Sequence, residues 1–201
     1  MSILNSTYNS FIFNFTKSFI PENIKNRWHP YVKRAPMPYD TVTHFLNSTI
    51  QSISFPAISM DTVQQNKKLF GKYTKERDFK GSKVAEDLYT REITVTFKTT
   101  EGFANYWIMQ EVLINYIDFN NKEIYIEDLH LRMIDQDGYI LSTVALKEVI
   151  FTGISGINLS YADNVPEFKS FDATFKFNFI DIDVTTGGVK YENNNYTKEN
   201  I

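Results

Sequence analysis

The sequence predicts a mainly β fold, an antiparallel β-sandwich or closed barrel with one flanking α-helix. Aromatic residues make up 15% of the 201-residue chain, and most of them are Phe or Tyr, which favour strands over helices. Several segments alternate apolar and polar residues with the period of a strand, whereas one segment has the three-to-four spacing of an amphipathic helix. Long strands with a single docked helix are typical of such a sandwich or barrel.

The clearest alternation runs over residues 171–179. Its apolar positions are Phe171, Ala173, Phe175, Phe177 and Phe179, and its polar positions are Asp172, Thr174, Lys176 and Asn178. Successive side chains of a strand point to opposite faces, so this pattern predicts one strand with one buried face. Each buried phenylalanine would contribute roughly 1.5–3 kcal/mol.

The segment before this strand, residues 147–161, predicts a second extended segment. Gly153 and Gly156 interrupt it, as glycines do at a bulge or a sharp bend. Residues 162–167, ADNVPE, have the composition of a turn. The two segments and their turn therefore predict a hairpin that forms one wall of the fold.

The N-terminal part of the chain predicts a first strand from the alternation of Phe11, Phe13 and Phe15. Ile20–Asp40 contains four prolines and shows no periodicity, so we expect an ordered loop or insertion. Four of its large side chains should pack on their own domain or, alternatively, on a neighbouring subunit: Trp28, Tyr31, Met37 and Tyr39. Thr41–Phe55 predicts the next extended segment.

Residues 60–87 form a polar segment rich in lysine, with acidic residues interspersed. Charge runs are usually solvated, so the plainer interpretation is an exposed loop or hairpin. A sharper interpretation is a protruding arm that pairs electrostatically with a neighbouring subunit. A nucleic-acid-binding patch is the third and least favoured interpretation. Acidic residues interrupt the basic ones, and aromatic residues, on which bases could stack, are few.

The middle of the chain predicts a strand followed by a helix. Arg91–Lys98 alternates with Ile93, Val95 and Phe97 facing inward. Thr99 or Thr100 could then cap a helix that runs to about Tyr116. Its predicted apolar stripe, expected to dock on the sheet, is Phe103, Trp107, Gln110 or Glu111, Ile114 and Ile117. We expect Trp107 on this stripe to belong to the core, and we expect no other helix.

The last third predicts further strands and then a tail. Leu129, Leu131 and Met133 alternate, Asp137-Gly138 is a tight-turn signal, and Ile140–Leu146 returns. Thr185–Ile201 is polar and asparagine-rich, so we expect a tail that is disordered or ordered only against a partner. The predicted organisation is one β domain over residues 1–184, with an insertion at about 20–41 and a charged arm at about 60–87, then a polar tail over 185–201.

The sequence offers no pattern for catalysis. The histidines His29, His44 and His130 have no metal-ligand spacing, and the chain has no cysteine. Asp181 and Asp183 share a strand face, but no partner acid, base or ligand stands near them in sequence, so solvent-facing charge at a strand end is the better interpretation. We therefore predict that the protein is not an enzyme, has no catalytic residues and uses no cofactor or metal.

Charge and hydropathy make further predictions about partners. The formal net charge of −3 gives no general reason to expect binding to nucleic acid or to a membrane. No apolar run approaches the ~18 residues that a membrane span requires, and the N-terminus lacks the features of a secretory signal. We therefore expect a chain that is cytoplasmic when made.

The two C-terminal segments also carry a longer pattern. They read V-x-F-x-G-x-x-G-x-x-L-S-Y-x-D-N from Val149 to Asn164 and F-x-A-T-F-x-F-x-F from Phe171 to Phe179. This pair resembles the C-terminal hairpin of tail tube proteins from contractile-tailed bacteriophages, which are related to type VI secretion tube proteins and baseplate tube-initiator proteins. The order of elements over Thr41–Asp183 is similar to that family as well.

The resemblance implies a phage tail-tube-like fold and a structural role in the virion. Each subunit's sheet would join those of its neighbours in a hexameric ring, and stacked rings would form the channel for DNA ejection. The partners implied are the chain itself, sheath proteins and baseplate proteins, while DNA passes the lumen without sequence-specific binding and no membrane is involved. The expected location is the phage tail, after assembly in the host cytoplasm.

The resemblance also implies that the charged arm reaches the next ring. The candidate ring–ring contacts are Lys67, Lys68, Phe70, Lys72, Tyr73, Lys75 and Arg77. The 20–41 insertion and the asparagine-rich tail depart from the family pattern, so a tube-initiator, baseplate or terminal ring protein with the same fold stays open as an alternative. A non-viral β-barrel binding module is the second alternative.

Overall fold

The computed structural model describes residues 11–34, 38–55, 57, 62–68, 74–81, 91–118, 124–134, 139–157, 169–186 and 189–193. The strands are β1 (Phe11–Asn14), β2 (Ile50–Ser54), β3 (Thr62–Lys68), β4 (Thr74–Lys80), β5 (Glu92–Lys98), β6 (Leu129–Ile134), β7 (Ile140–Lys147), β8 (Ile150–Ile154), β9 (Ser170–Lys176), β10 (Phe179–Thr186) and β11 (Val189–Asn193). The helices are α1 (Glu22–Arg34), α2 (Val42–Ser48) and α3 (Ala104–Ile117), and a single 3-10 turn over Glu101–Phe103 leads into α3.

The strands form two larger antiparallel sheets and a separate hairpin. The first sheet has the order β1-β6-β7-β10-β11, and the second has the order β2-β5-β9-β8. β3 and β4 pair with each other in a two-stranded sheet. The predicted fold class, a mainly β antiparallel architecture, is confirmed, although the described part of the chain contains three helices where the sequence predicted one.

The core lies between the two sheets and is built from the alternation that the sequence shows. Side chains of period two point to one face of a strand, so every second residue enters the core. At most 3% of each of the following side chains is exposed: Ile93, Val95, Phe97, Phe171, Ala173 and Phe175 from the second sheet, and Leu129, Leu131, Val144 and Leu146 from the first. The inward faces predicted for β5, β6 and β9 are therefore confirmed.

Phenylalanine rings connect the N-terminal segment to the second sheet. The ring of Phe15 lies 4.2 Å from that of Phe19, 6.1 Å from that of Phe97 and 5.7 Å from that of Phe175, centroid to centroid. Phe151 stacks on Phe175 at 4.7 Å. These stacked and tilted geometries contribute attraction beyond the apolar area that they bury.

The predicted phenylalanine strand is in fact two strands that belong to different sheets. β9 ends at Lys176 in the second sheet, and β10 begins at Phe179 in the first. The backbone N–H of Phe177 donates to the carbonyl of Arg91 (3.0 Å), and that of Asn178 donates to the carbonyl of Lys147 (3.1 Å). After this crossover Ile180, not Phe179, is the buried residue, because the alternation shifts by one position.

The bulge and the C-terminal hairpin follow the sequence pattern. β8 pairs antiparallel with β9, and its register shifts between Phe151 and Gly153, as expected at a bulge. β6 and β7 also pair antiparallel. The two predicted turns themselves, Asp137-Gly138 and residues 162–167, lie outside the described residues.

The prediction of a loop over Ile20–Asp40 was wrong, because most of this segment is α1. Pro21 precedes the helix, where the missing N–H of proline costs nothing, and its carbonyl accepts from the N–H of Lys25 (3.0 Å). Pro30 lies inside the helix. Spacing by four places Ile24 and Val32 in the core, with the half-buried Trp28 between them, and that burial outweighs the helix-breaking tendency of proline.

The large side chains of this segment pack on their own chain, as the favoured interpretation predicted. Trp28 and Tyr39 pack against the core. Tyr31 contacts Phe45 with ring centroids 6.5 Å apart, although its own side chain is partly exposed. Met37 lies outside the described residues.

The first half of the predicted extended segment Thr41–Phe55 is the helix α2, so that part of the prediction was wrong. The Thr41 side chain caps the helix by accepting the N–H of His44 (3.1 Å). Val42, Phe45 and Leu46 are buried at helical spacing. The second half forms β2, as expected.

The C-terminal segment is more ordered than predicted. β10 continues to Thr186, and β11 pairs with it antiparallel, with Val184 opposite Tyr191. The pairing gives the backbone N–H and carbonyl groups of β11 hydrogen-bond partners. The polar composition of the segment is the reason why the sequence predicted a tail there. Residues 194–201 lie outside the described part of the chain.

Asn105 is a buried polar side chain that joins three elements. Its Nδ2 donates to the carbonyl of Lys98 at the end of β5 (2.8 Å) and to Oγ1 of Thr49 after α2 (3.2 Å). Its Oδ1 accepts the backbone N–H of Thr100 (3.2 Å) and that of Tyr106 (3.1 Å). The side chain is completely buried, and these bonds explain why a polar group is tolerated there.

Candidate assembly surfaces

The described residues contain no cluster of metal-ligating side chains. No three His, Asp or Glu side chains among them lie close enough to hold a metal ion. His130 is exposed on the face of β6 opposite Leu129 and Leu131, as predicted. Asp181 forms an ion pair with Lys147. In the described part of the chain, no helix is both long and apolar enough to cross a membrane.

The charged segment 60–87 contains the hairpin of β3 and β4. The register places Lys67 opposite Lys75, Gln65 opposite Arg77 and Lys68 opposite Thr74. Of the seven candidate ring–ring residues, Lys67, Lys68, Lys75 and Arg77 therefore lie on these strands, whereas Phe70, Lys72 and Tyr73 lie outside the described residues. A hairpin was one of the predicted forms of this segment, and its role in an interface stays a prediction.

The predicted docking stripe of α3 was wrong, because the helix buries a different face. The side chains that it buries are Ala104, Asn105, Ile108, Met109 and Val112. The predicted stripe instead points outward: Trp107 is 46% exposed, Ile114 61% and Ile117 67%. Trp107 is therefore not a core residue.

The error has a physical cause in the composition of α3, ANYWIMQEVLINYI. Apolar residues occur around most of the helix, so two different stripes satisfy three-to-four spacing. The outward stripe leaves large apolar side chains in contact with water. Neighbouring apolar side chains of this kind on a protein surface usually indicate an interaction site.

α1 and α3 lie side by side and are joined by polar contacts. Trp28 Nε1 donates to Glu111 Oε2 (3.0 Å), and Arg27 Nη1 lies 3.0 Å from Glu111 Oε1. The Tyr31 hydroxyl donates to the carbonyl of Glu101 (2.8 Å). Partial burial, and then the negative charge of Glu101, raise the pKa of Tyr31. Because Trp28 meets the middle of α3 and Tyr31 meets its beginning, the two helices run antiparallel.

A cleft of about 550 Å³ opens at the C-terminal end of α3. We call it the α3 cleft. Its lining comprises Ser18, Phe19 and Pro21 before α1, Val112, Asn115 and Tyr116 from α3, and Ile124, Tyr125, Ile126 and Glu127 before β6. Ile124 and Tyr125 are 69% and 40% exposed, so the apolar surface of the cleft continues onto the outside of the molecule.

Among the described residues that line the α3 cleft, Glu127 is the one that carries a carboxylate. The Ser18 hydroxyl donates to its Oε1, and this bond, followed by a bond from Thr16, holds the pKa of Glu127 below its usual range. Hydrogen bonds to a carboxylate favour its charged form. The cleft therefore carries a negative charge at neutral pH.

Each larger sheet ends in strands that pair on one side only within the described residues. These outer strands are β1 and β11 in the first sheet and β2 and β8 in the second. The backbone groups on the other side of such a strand can pair with a strand of another molecule. The described fold therefore presents four candidate assembly surfaces: the outer strands of the two sheets, the outward apolar face of α3, the α3 cleft and the β3–β4 hairpin.

Comparison with solved structures identifies molecules of similar fold. A chain in the cryo-EM structure of the anti-feeding prophage (AFP) baseplate, 6-fold symmetrised, superposes with a TM-score of 0.50 at 6% identity, covering 90% of this chain and 97% of that one. The two chains share a fold. At an identity this low, the similarity shows the fold alone.

Two further structures are similar with slightly lower scores. A chain of the PVC sheath-tube complex in its extended state, from an extracellular contractile injection system, has a TM-score of 0.49 at 14% identity, covering 91% of this chain and 94% of that one. A chain of the AFP tube terminating cap has a TM-score of 0.49 at 12% identity, covering 92% and 95%. No protein-family model and no curated protein sequence matches the chain.

Sequence reasoning found the hairpin but missed the α3 cleft and the outward face of α3. The signal for the cleft is the short run Ile124-Tyr125-Ile126, which follows the helix and alternates too briefly to predict a strand. The signal for the outward face is the second apolar stripe of α3. Neither signal could be assigned from sequence, because both depend on which helix face meets the sheet.

Proposed function

We propose that the chain is a structural subunit of the tube of a contractile tail or contractile injection system. In this role it associates into hexameric rings that stack into a tube with a channel for DNA ejection. The observation that carries the proposal is the fold shared with a chain of the AFP baseplate, which extends over nearly the whole length of both chains.

The surface of the molecule supports a role in self-assembly. The outer strands of both sheets can accept neighbouring strands, and the exposed apolar side chains Trp107, Ile114 and Ile117 can be buried between subunits. The hairpin residues Lys67, Lys68, Phe70, Lys72, Tyr73, Lys75 and Arg77 would contact the next ring. Sheath and baseplate proteins would be further partners, and the location would be the tail, after assembly in the host cytoplasm.

A role as a baseplate, tube-initiator or terminal ring is the second candidate. The observation that favours it is that the solved structure with a TM-score of 0.50 is a baseplate. Such a ring would need the same lateral association but would stop at a defined number of layers. The two candidates therefore differ in whether stacking is open-ended.

Negative-stain electron microscopy across a concentration series tests the proposal. Rings with sixfold end views are expected in either case, and hollow tubes that lengthen with concentration are expected of a tube subunit. Single rings or short stacks of fixed height would favour the terminal or initiator role. Uniform monomeric particles at every concentration would contradict both and favour a β-barrel binding module.

A further inference from the structure

The face of the first sheet that packs against the second sheet continues beyond its buried part. Leu129 and Leu146, which pair across β6 and β7, are 2% and 1% exposed. Two residues further along each strand, Leu131 and Val144 pair and are also buried. Another two residues along, the side chains on the same face are half-buried or exposed. The burial of this face therefore decreases along the strands, although the face itself does not end.

Four apolar side chains lie on this face beyond its buried part. The pairing of the strands and the alternation along them place all four on the core side. Phe11 and Met133 pack partly against the core, whereas Ile140 is 44% and Val184 36% exposed. Ser142, which pairs with both Met133 and Val184, is the polar residue among them. We call this set the sheet overhang: Phe11, Met133, Ile140 and Val184.

The sheet overhang differs from apolar side chains that are scattered over a surface. Single exposed apolar residues are common, whereas contiguous apolar surface usually indicates an interaction site. The four overhang residues carry no charge, and Phe11 and Met133 already pack against the core. An apolar layer placed on the overhang would therefore extend the existing core, and it would gain free energy by removing the exposed side chains from water.

The outward stripe of α3, formed by Trp107, Ile114 and Ile117, matches the overhang in character and in size. A helix stripe and a sheet face can each bury the apolar side of the other. At a rise of about 1.5 Å per residue, the stripe is about 15 Å long. At a spacing of about 4.8 Å, the neighbouring strands β1, β6, β7 and β10 span about 14 Å. The stripe can therefore cover the overhang across all four strands.

We propose that the outward stripe of α3 in one copy packs on the sheet overhang of a second copy. Trp107, Ile114 and Ile117 would then form a helical layer over the exposed end of the first sheet. The inference rests on the proposed function and adds to it a pair of surfaces through which neighbouring copies meet. This contact between a helix and a sheet face is separate from the pairing of sheet edges.

The exposure of the two surfaces favours a second copy of this chain as the occupant. Ile114 and Ile140 are both exposed, so the stripe and the overhang do not cover each other within one chain. A second copy supplies each surface with the other. Because the two surfaces are different, the contact is heterologous, and such contacts form a ring where the rotation between copies closes. Each copy then offers its stripe to one neighbour and its overhang to the other, as a ring subunit must.

Cysteine cross-linking tests the contact directly, because the chain contains no cysteine of its own. A tagged Ile114→Cys protein is mixed with an untagged Ile140→Cys protein, assembled and treated with a short bismaleimide. The matched control is Ile12→Cys, in the same sheet and similarly exposed (38% against 44%) but on the opposite face. We expect about ten times more 114–140 product than 114–12 product between copies, because the contact raises the effective concentration of one thiol at the other. Equal yields from assembled protein would overturn the inference.

Thiol accessibility separates a second copy from other occupants of the overhang. Ile140→Cys should react rapidly with a soluble maleimide in the dilute monomer and several-fold more slowly after assembly. Slow reaction in the monomer would show that another segment of the same chain covers the overhang. Equally fast reaction in the assembled protein would show that the overhang stays open. Either result would overturn the inference.

A pair of opposite charges tests whether the two positions meet. Ile114→Asp alone and Ile140→Lys alone should each lower the assembled fraction several-fold in sedimentation velocity, because each places an unpaired charge in an apolar contact. The two substitutions together should restore assembly, whereas Ile114→Asp with Ile140→Asp should not. Both positions are exposed in the single chain, so the unfolding midpoints should stay close to that of the parent protein. An Asp–Lys pair that assembles no better than the Asp–Asp pair would contradict the contact.

The outcomes distinguish this inference from the proposed function. If rings or tubes form but the 114–140 product does not exceed the control, the contact between α3 and the sheet overhang is wrong and the proposed function stands. If no self-association occurs at any concentration, both fail.

Discussion

At the scale of single residues, Asn105 determines how three elements meet. One side chain bonds the end of β5, the residue after α2 and the first turn of α3. A buried amide with these partners is costly to remove, because the groups that it leaves behind remain buried without hydrogen bonds. The junction therefore depends on a residue that no sequence pattern marks.

Replacing Asn105→Ala should lower the free energy of unfolding by about 1–3 kcal/mol for each backbone group left buried and unpaired. Urea unfolding followed by circular dichroism measures this change. The matched control is Asn26→Ala on the exposed side of α1, which should stay within about 0.5 kcal/mol of the parent protein. Equal unfolding midpoints for the two variants would show that the Asn105 bonds do not hold the junction.

Glu127 is the residue whose charge responds to its hydrogen bonds. Because bonds from Ser18 and Thr16 lower its pKa, the carboxylate favours the folded state above the pKa of the unfolded chain, and this contribution is lost as the pH falls through the lower, folded value. The Ser18→Ala variant should therefore move the pKa of Glu127 back toward its usual range. Titration of the Glu127 side-chain carbon by NMR measures the shift, and Ser52→Ala, on β2, should leave it unchanged.

At the scale of elements, α3 is the helix whose two apolar stripes have different roles. The inward stripe stabilises the fold, and the outward stripe is available for association. Ile108 and Ile114 are the same residue type on the same helix, with 0% and 61% exposure, so they separate the two roles.

Ile108→Ser should lower the free energy of unfolding by more than about 3 kcal/mol, because it leaves a cavity and buries a hydroxyl. Ile114→Ser should change it by about 0.5 kcal/mol or less, as is usual for an exposed position. Chemical unfolding of both monomers at low concentration makes the comparison. A larger cost for Ile114→Ser than for Ile108→Ser would mean that the faces of α3 have been assigned in reverse.

The elements also show how much the sequence could predict. Alternation in β5, β6 and β9 predicts both the strands and the faces that they bury, because a strand with one buried face has a single unambiguous pattern. α1 was not predicted, because its segment contains four prolines, which favour a loop. The spacing of Ile24, Trp28 and Val32 by four residues is the sequence signal for the helix.

The crossover from β9 to β10 escaped prediction for a different reason. Phe177 and Phe179 are both apolar and stand two residues apart, so the alternation in the sequence continues where the chain leaves one sheet for the other. Ile180 is apolar as well, and the sequence does not show which of the two neighbours is buried. Which sheet a strand joins is decided by tertiary hydrogen bonds such as that from Asn178 to Lys147. The position of the α3 cleft is likewise a tertiary property, since its lining comes from three separate segments.

At the scale of the whole molecule, the hairpin should act in assembly and not in folding. Replacing residues 67–75 by a short Asn-Gly turn between β3 and β4 removes four lysines together with Leu69, Phe70 and Tyr73. The variant should keep the unfolding midpoint of the parent protein, because within the described residues β3 and β4 pair with each other and not with the larger sheets. Sedimentation velocity should show that it no longer forms stacks.

A matched variant separates the loss of these side chains from the shortening of the segment. Leu69→Ser, Phe70→Ser and Tyr73→Ser together keep the length and the lysines but remove the large apolar side chains. This variant should also fail to stack. Stacks of normal length from either variant would show that residues 67–75 do not form the contact between rings.

The central claim is that this chain is a ring-forming structural subunit, and native mass spectrometry of the assembled protein tests it most directly. The account predicts complexes whose masses are six times the subunit mass of 23.5 kDa, and multiples of that complex as rings stack. A protein that stays monomeric up to the concentrations at which phage proteins assemble, or that forms closed dimers only, would contradict it.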